Sequence, residues 1–372
     1  MSKEILTIQG LQFGSEAKGA IALLTAQTWL PDAVGCAWQP NAGHTVYIDG
    51  NKYVHRMLPV GALAPSVKTI FIGPGATLDI PQLRAEIAAA GGLLQGKVLI
   101  IHPNAAVLGP MDAENESALV SIGSTMKGSM RAQVRKMGRK AFDVDTPATA
   151  QEADFTWGND LPMGPRLYVS GAAYDTCMDN VTRLQLEGAQ GFSLGMHSRF
   201  YPYCTSRDVS TAQLLADCRV PFPEPEALHT IGVCRTFPIR VANRFKEGIQ
   251  VGTSGPCYSD QRELSWEDLG REAELTTVTK LPRRVFTFSI EQIREAARIM
   301  RPTVVALTFC DYLGNPSTRP WGLYAPAAVE DLIGPIEAAT KARVRYLTFG
   351  PEAAQQYEIA NEAGLLRQPQ SW

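Results

Sequence analysis

Residues 4–24 read EILTIQGLQFGSEAKGAIALL, and the order of features in them sets the fold class. An apolar run ends in Gly14-x-x-x-Lys18-Gly19, and the helix-like run Ala20 to Leu24 follows at once. A strand, a glycine turn and a helix in that order aim backbone N–H groups and a lysine at one point, which attracts phosphate. The spacing is not the G-x-x-x-x-G-K-[ST] of a Walker A motif, so the site is P-loop-like only. Taken alone, the stretch serves equally well as a structural turn.

Further along, aliphatic and β-branched runs recur at Thr69 to Ile72, Val98 to Ile101, Leu167 to Val169, Arg183 to Leu186, Thr230 to Val233, Thr303 to Phe309 and Arg345 to Phe349. Helix-like segments such as IPQLRAEIAAAGG and SIEQIREAARIMR lie between several of them. Apolar runs punctuated by helices predict an α/β fold, a mostly parallel central sheet covered on both faces. Glycine and polar residues gather where the runs end, in QFGSEAKG, FIGPGAT, LEGAQG, LTFCDYLGN and LTFGPE, which is where open α/β sheets bind ligands. There is no internal repeat, the Pro-rich VPFPEPEAL near 220 reads as a surface loop, and residues 1–372 are expected to form a single catalytic domain.

Composition narrows the partners. With 372 residues, 45% of them hydrophobic, and a net charge of −2, the chain can bury a large core but has no bulk attraction to nucleic acid or anionic membrane. Small molecules are the expected ligands. Seven cysteines without a C-x-x-C pair suggest neither a disulfide framework nor a zinc site, and no apolar run reaches the length of a membrane span. A cytoplasmic setting is expected.

Other stretches concentrate ligand-type chemistry. Asn41, Gly43, His44 and Thr45 form a turn of small and polar residues, poor material for a core, in which His44 can act as acid, base or donor. Similar clusters are IGSTMKGS from Ile122, LEGAQGFSLGMHSRFYPYCTSRDVS from Leu186 and ELTTVTKLPRRV from Glu274. Each has a bland reading as edge strand, turn or solvated charge pair. Their order decides, because the colinear series from near residue 5 to near residue 352 resembles the adenylosuccinate synthetases, whose signatures include Asn-Ala-Gly-His-Thr and Glu-Gly-Ala-Gln-Gly. The short chain and the TTVTK form are similar to the archaeal members.

That resemblance implies a Mg²⁺-assisted ligase that condenses L-aspartate with a 6-oxopurine nucleotide, a nucleoside triphosphate first phosphorylating O6. It implies catalytic roles for Ser15, Lys18, His44 and Gln190, with Gly14, Ser15, Glu16, Ala17, Lys18, Gly19, Gly43, His44, Thr45, Asp311 and Gly350 around the triphosphate. Ser15, Asn41, Ser124, Thr125, Gln190, Leu194, Thr205 and Val241 match positions for the purine nucleotide. A homodimer with a shared active site is implied, the cation that crosses it being best matched by Lys136, with Arg135 and Arg139 as competitors. Thr277, Val278, Thr279, Lys280 and Arg283 match the aspartate site, and Ser15 with the Gly43 carbonyl the metal position. The product would pass to an adenylosuccinate lyase.

The sequence also departs from the family. Ser15 stands where members carry the aspartate that takes the purine N1 proton, Ala17 replaces a glycine, and Phe309 replaces the lysine that often precedes Asp311 in guanine-binding members. Serine is no carboxylate base. A phage branch, the 2-aminoadenylosuccinate synthetases, carries serine here and acts on dGMP with ATP or dATP, in the host cytoplasm. A short side chain near N1 leaves room for the guanine 2-amino group, and the γ-phosphate is then the expected acceptor of the N1 proton. The rival readings are an ordinary synthetase using IMP and GTP, and a non-catalytic nucleotide-binding paralogue.

Overall fold

The structure is a computed structural model that describes residues 3–139, 146–161, 163–276, 280–360 and 365–370. Glu4–Gly10 lies near the middle of what is, among these residues, a thirteen-stranded sheet. Its parallel body runs Arg343–Thr348, Val304–Thr308, Leu228–Arg235, Glu4–Gly10, Arg183–Gly191, Ala33–Cys36, Thr69–Ile72, Val98–Ile101, Arg166–Val169. Antiparallel strands Gln356–Ile359, Leu365–Arg367, Gly322–Tyr324 and Ser317–Arg319 extend one edge.

Each aliphatic run anticipated from the sequence is a strand of this body. The first strand is buried on both faces, Ile5 packing with Val34 and Leu184 on one side and Leu6 and Ile8 with Ile231 and Val233 on the other. This double burial is why its sequence is continuously apolar rather than alternating. Helix α1 (Lys18–Thr28) is buried over nearly its whole length, which explains its weakly amphipathic sequence. Helix α2 (Ile80–Ala90) is capped by Asp79, whose side chain accepts from the Gln82 amide at 3.1 Å. Pro221 to Glu226 precede the Leu228–Arg235 strand as largely exposed chain, as the Pro-rich composition suggested. No helix of the described residues is long and apolar enough to cross a membrane.

Candidate functional site

Chain segments leaving the C-terminal ends of the central parallel strands meet in one cleft of about 960 Å³. Its position obeys the rule that open α/β sheets take ligands beyond the carboxyl ends of their strands. The cleft gathers Gly14 to Gly19, Asn41, Gly43 to Thr45, Ser124, Thr125, Gln190, Leu194, Thr205, Val241, Arg283, Asp311 and Gly350.

The phosphate loop is held from within. Gly14, Ser15 and Ala17 all have positive φ, at 92°, 57° and 61°, so the chain coils tightly before entering α1. Glu16 turns its fully buried carboxylate under the loop and accepts from the Gly14 amide at 2.7 Å, the Gln12 amide at 3.2 Å and Lys18 Nζ at 2.6 Å. Glu16 therefore organises the loop, and Lys18 rests in an ion pair. A side chain at Gly191 would collide with the Gly14 amide, which explains the glycine closing Glu187-Gly-Ala-Gln-Gly. Ala17 ends the loop in the left-handed region and offers no side-chain cap, leaving α1's first amides to a ligand. Ser15 is exposed to the cleft.

His44 begins the hairpin formed by His44–Ile48 and Asn51–His55. Its Nδ1 meets Glu187 Oε1 at 2.6 Å, while Glu187 Oε2 accepts from the Val60 amide at 2.7 Å. Trp38 packs against the imidazole at 4.2 Å between ring centres. A carboxylate on Nδ1 leaves Nε2 for a ligand. Gln190, at φ 65°, follows a register shift between Ile8 and Gly10, and its side chain stands beside Gly14.

Asn41 donates to Thr205 Oγ1 at 3.3 Å, and Arg244 to the Ser124 carbonyl at 3.0 Å. Arg240 lies buried over the Phe13 ring at 4.4 Å and donates to the Tyr203 and Pro256 carbonyls; burial, with Arg284 nearby, lowers its pKa to about 9. At another part of the cleft, Phe309 sits under the Arg235 guanidinium at 3.8 Å. Arg235 also bonds the Ser15 carbonyl and Glu274, tying the phosphate loop to this wall. Asp311 faces Arg271 at 3.5 Å, though burial still raises its carboxyl pKa.

Some anticipated residues lie elsewhere. Thr277, Val278 and Thr279 fall outside the described residues, and Lys280 is exposed and does not line the cleft. Lys136, whose Nζ donates to the Pro74 carbonyl at 2.6 Å, and exposed Arg139 do not line this chain's own cleft, the role expected of them being in a partner's. Arg135 is locked inside the chain by Asp112 and the Val107 and Pro147 carbonyls. Glu187, Arg235, Arg240 and Glu274 also shape the site and carry no motif signal of their own. Glu187 and Glu274 stand inside quoted stretches, but their partners His44 and Arg235 are 143 and 39 residues away.

For a divalent cation the donor set is hard oxygen. The Ser15 hydroxyl and Gly43 carbonyl adjoin the phosphate loop, and among the described residues no three His, Cys, Asp or Glu side chains cluster to hold a metal. That suits Mg²⁺, which takes one or two protein ligands and completes its shell with phosphate oxygens and water.

Comparison with known proteins agrees with this layout. The family model for adenylosuccinate synthetase matches residues 7–156 and 165–318. The N6-succino-2-amino-2'-deoxyadenylate synthase of Salmonella phage PMBT28 is 41% identical over 94% of this chain and 96% of its own. The adenylosuccinate synthetase of Methanocaldococcus jannaschii is 28% identical over 95% and 96%. A solved structure of the cyanophage S-2L succinoaminodeoxyadenylate synthetase, bound to dGMP and to dATP as energy donor, superposes with a TM-score of 0.82 at 37% identity, covering 98% of this chain and 97% of that one.

Proposed function

We propose, since this chain belongs to the adenylosuccinate synthetase family, that it is a ligase joining L-aspartate to C6 of dGMP. ATP or dATP drives the reaction and leaves as (d)ADP and phosphate, and the product is 2-amino-2'-deoxy-N6-succinyladenylate. One observation carries the substrate assignment: identity is 41% to a phage enzyme named for this product and 28% to an archaeal adenylosuccinate synthetase, over nearly equal lengths. Ser15, exposed at the phosphate loop, supports the same reading.

The γ-phosphoryl group moves to O6, turning it into a leaving group, and the aspartate amine then displaces phosphate. Lys18 exchanges Glu16 for the transferring phosphoryl oxygens, the loop amides being aligned beforehand. His44 donates from Nε2 to O6 and to the departing oxygen; with Nδ1 on Glu187, the donating ring is the imidazolium and the carboxylate carries its counter-charge. Gln190 orients O6, Asn41 and Thr205 hold the nucleotide beside Ser124 and Thr125, and Arg283 receives an aspartate carboxylate. The N1 proton leaves to the γ-phosphate. Ser15 and Gly43 would hold Mg²⁺, which supplies charge neutralisation on the triphosphate.

The chain acts as a homodimer, in which Lys136 or exposed Arg139 reaches the partner's nucleotide, Arg135 being bonded internally. A lyase of the adenylosuccinate type consumes the product, and the reaction runs in a host cytoplasm, a reading that the phage origin of the relatives supports. Single-turnover phosphate release tests the proposal. Release with dGMP, L-aspartate and MgATP or MgdATP that disappears when any one is omitted is expected, with GTP a poorer donor. ATP hydrolysis indifferent to dGMP or aspartate would overturn it.

A further inference from the structure

Arg56 is a cation without an assignment, set into the cleft wall from an anchored backbone. It follows the Asn51–His55 strand and stands beside Gly43, since a β-carbon added to Gly43 would lie 4.0 Å from Arg56 Cγ. Glu86 of α2, itself buried, pins the segment by accepting from the amides of Arg56 at 2.7 Å, Met57 at 3.0 Å and Leu58 at 3.0 Å. The backbone at Arg56 is therefore fixed independently of its side chain.

The surrounding charges show what the guanidinium is for. Among the described residues it makes no hydrogen bond or ion pair, although it is half-buried. The other cleft cations are engaged: Lys18 by Glu16, Arg240 and Arg244 by carbonyls, and Arg283 faces Glu274. The acidic residues of the lining are likewise taken, Glu116 for example by the amides of Gly128 and Met130. A half-buried arginine left without an anion, beside the uncapped start of α1, calls for an anion from outside.

We propose that Arg56 clamps the polyphosphate of the donor triphosphate from the Gly43 side, while Lys18 approaches it from the loop. This rests on reading the cleft as the nucleotide site but not on turnover, because binding is measured without reaction. The test is calorimetric binding of MgATP and, separately, of dGMP to wild type, Arg56→Gln and Arg56→Lys, with thermal unfolding as control. Loss of one charge-assisted contact should weaken MgATP by roughly ten- to a hundredfold in Arg56→Gln, and by less in Arg56→Lys. dGMP affinity should stay within about twofold, a residual change too small to represent a lost charged contact. Unchanged MgATP affinity, or a loss confined to dGMP, would overturn the assignment. Should Arg56→Gln not fold, wild-type MgATP affinity in the folded Arg56→Lys would count against it equally. An inert wild-type enzyme whose MgATP affinity depends on Arg56 would instead sink the ligase reading and leave this one standing.

Discussion

Single residues carry the discrimination and the chemistry. Ser15 is exposed to the cleft at positive φ in the phosphate loop, so its replacement by aspartate tests substrate choice without disturbing the core. Ser15→Asp puts a carboxylate next to the guanine 2-amino side of N1 and restores a base suited to hypoxanthine. Steric discrimination of this kind is worth about 1–3 kcal/mol. kcat/KM for dGMP should fall by roughly 10–200-fold while that for IMP holds or rises; improved dGMP use alone would make Ser15 a tolerated loss. His44→Ala removes a donor aimed at developing charge and should lower kcat by on the order of 10²–10³ with little change in dGMP affinity. Glu187→Gln keeps the contact with His44 and removes the counter-charge, so rapid-quench rates should fall in the same direction by a smaller factor. His44 was legible because its neighbours Asn41, Gly43 and Thr45 make a compact polar cluster in the sequence, though it begins a strand in the structure. Glu187 was not, because its role exists only once the Arg183–Gly191 strand lies beside Ala33–Cys36 and the loop bearing His44.

At the scale of elements, the hairpin bearing His44 also contains a pH-sensitive group. His55 pairs across the two strands with His44, is 2% exposed, donates from Nδ1 to the Leu58 carbonyl at 3.1 Å and leaves Nε2 without a partner. Burial lowers its pKa from 6.5 to about 4, so between those values the unfolded chain binds more protons than the folded one. The stability this supplies is fully present above pH 6.5 and is lost as pH falls toward 4, by on the order of 3 kcal/mol. Denaturant unfolding at pH 7 and pH 4.5 should show a smaller loss on acidification in His55→Gln than in wild type; equal losses would show that His55 does not govern it. The long parallel strands were legible because double burial makes their sequences continuously apolar. Ala33–Cys36 escapes that signal, since AVGC holds one β-branched residue and a glycine whose added β-carbon would press on Leu186 at 3.0 Å. The short antiparallel edge strands such as Ser317–Arg319 carry too few residues to show a period.

Across the whole molecule, the central strand order places loops from distant parts of the sequence around one cleft, so the near-neutral chain gathers into it the groups for two nucleotides and an amino acid. The position of that cleft followed from where glycine and polar clusters ended the apolar runs. Its interior charge pairing did not, because Arg235 with Glu274 or Arg271 with Asp311 bridges segments whose neighbourhood is a property of the folded sheet. The central choice is which purine this assembly converts. Steady-state kcat/KM for dGMP and for IMP, with saturating L-aspartate and MgATP, measures that choice. A dGMP value at least tenfold above that for IMP is expected from the discrimination available at N1 and C2; equal values or a preference for IMP would contradict it.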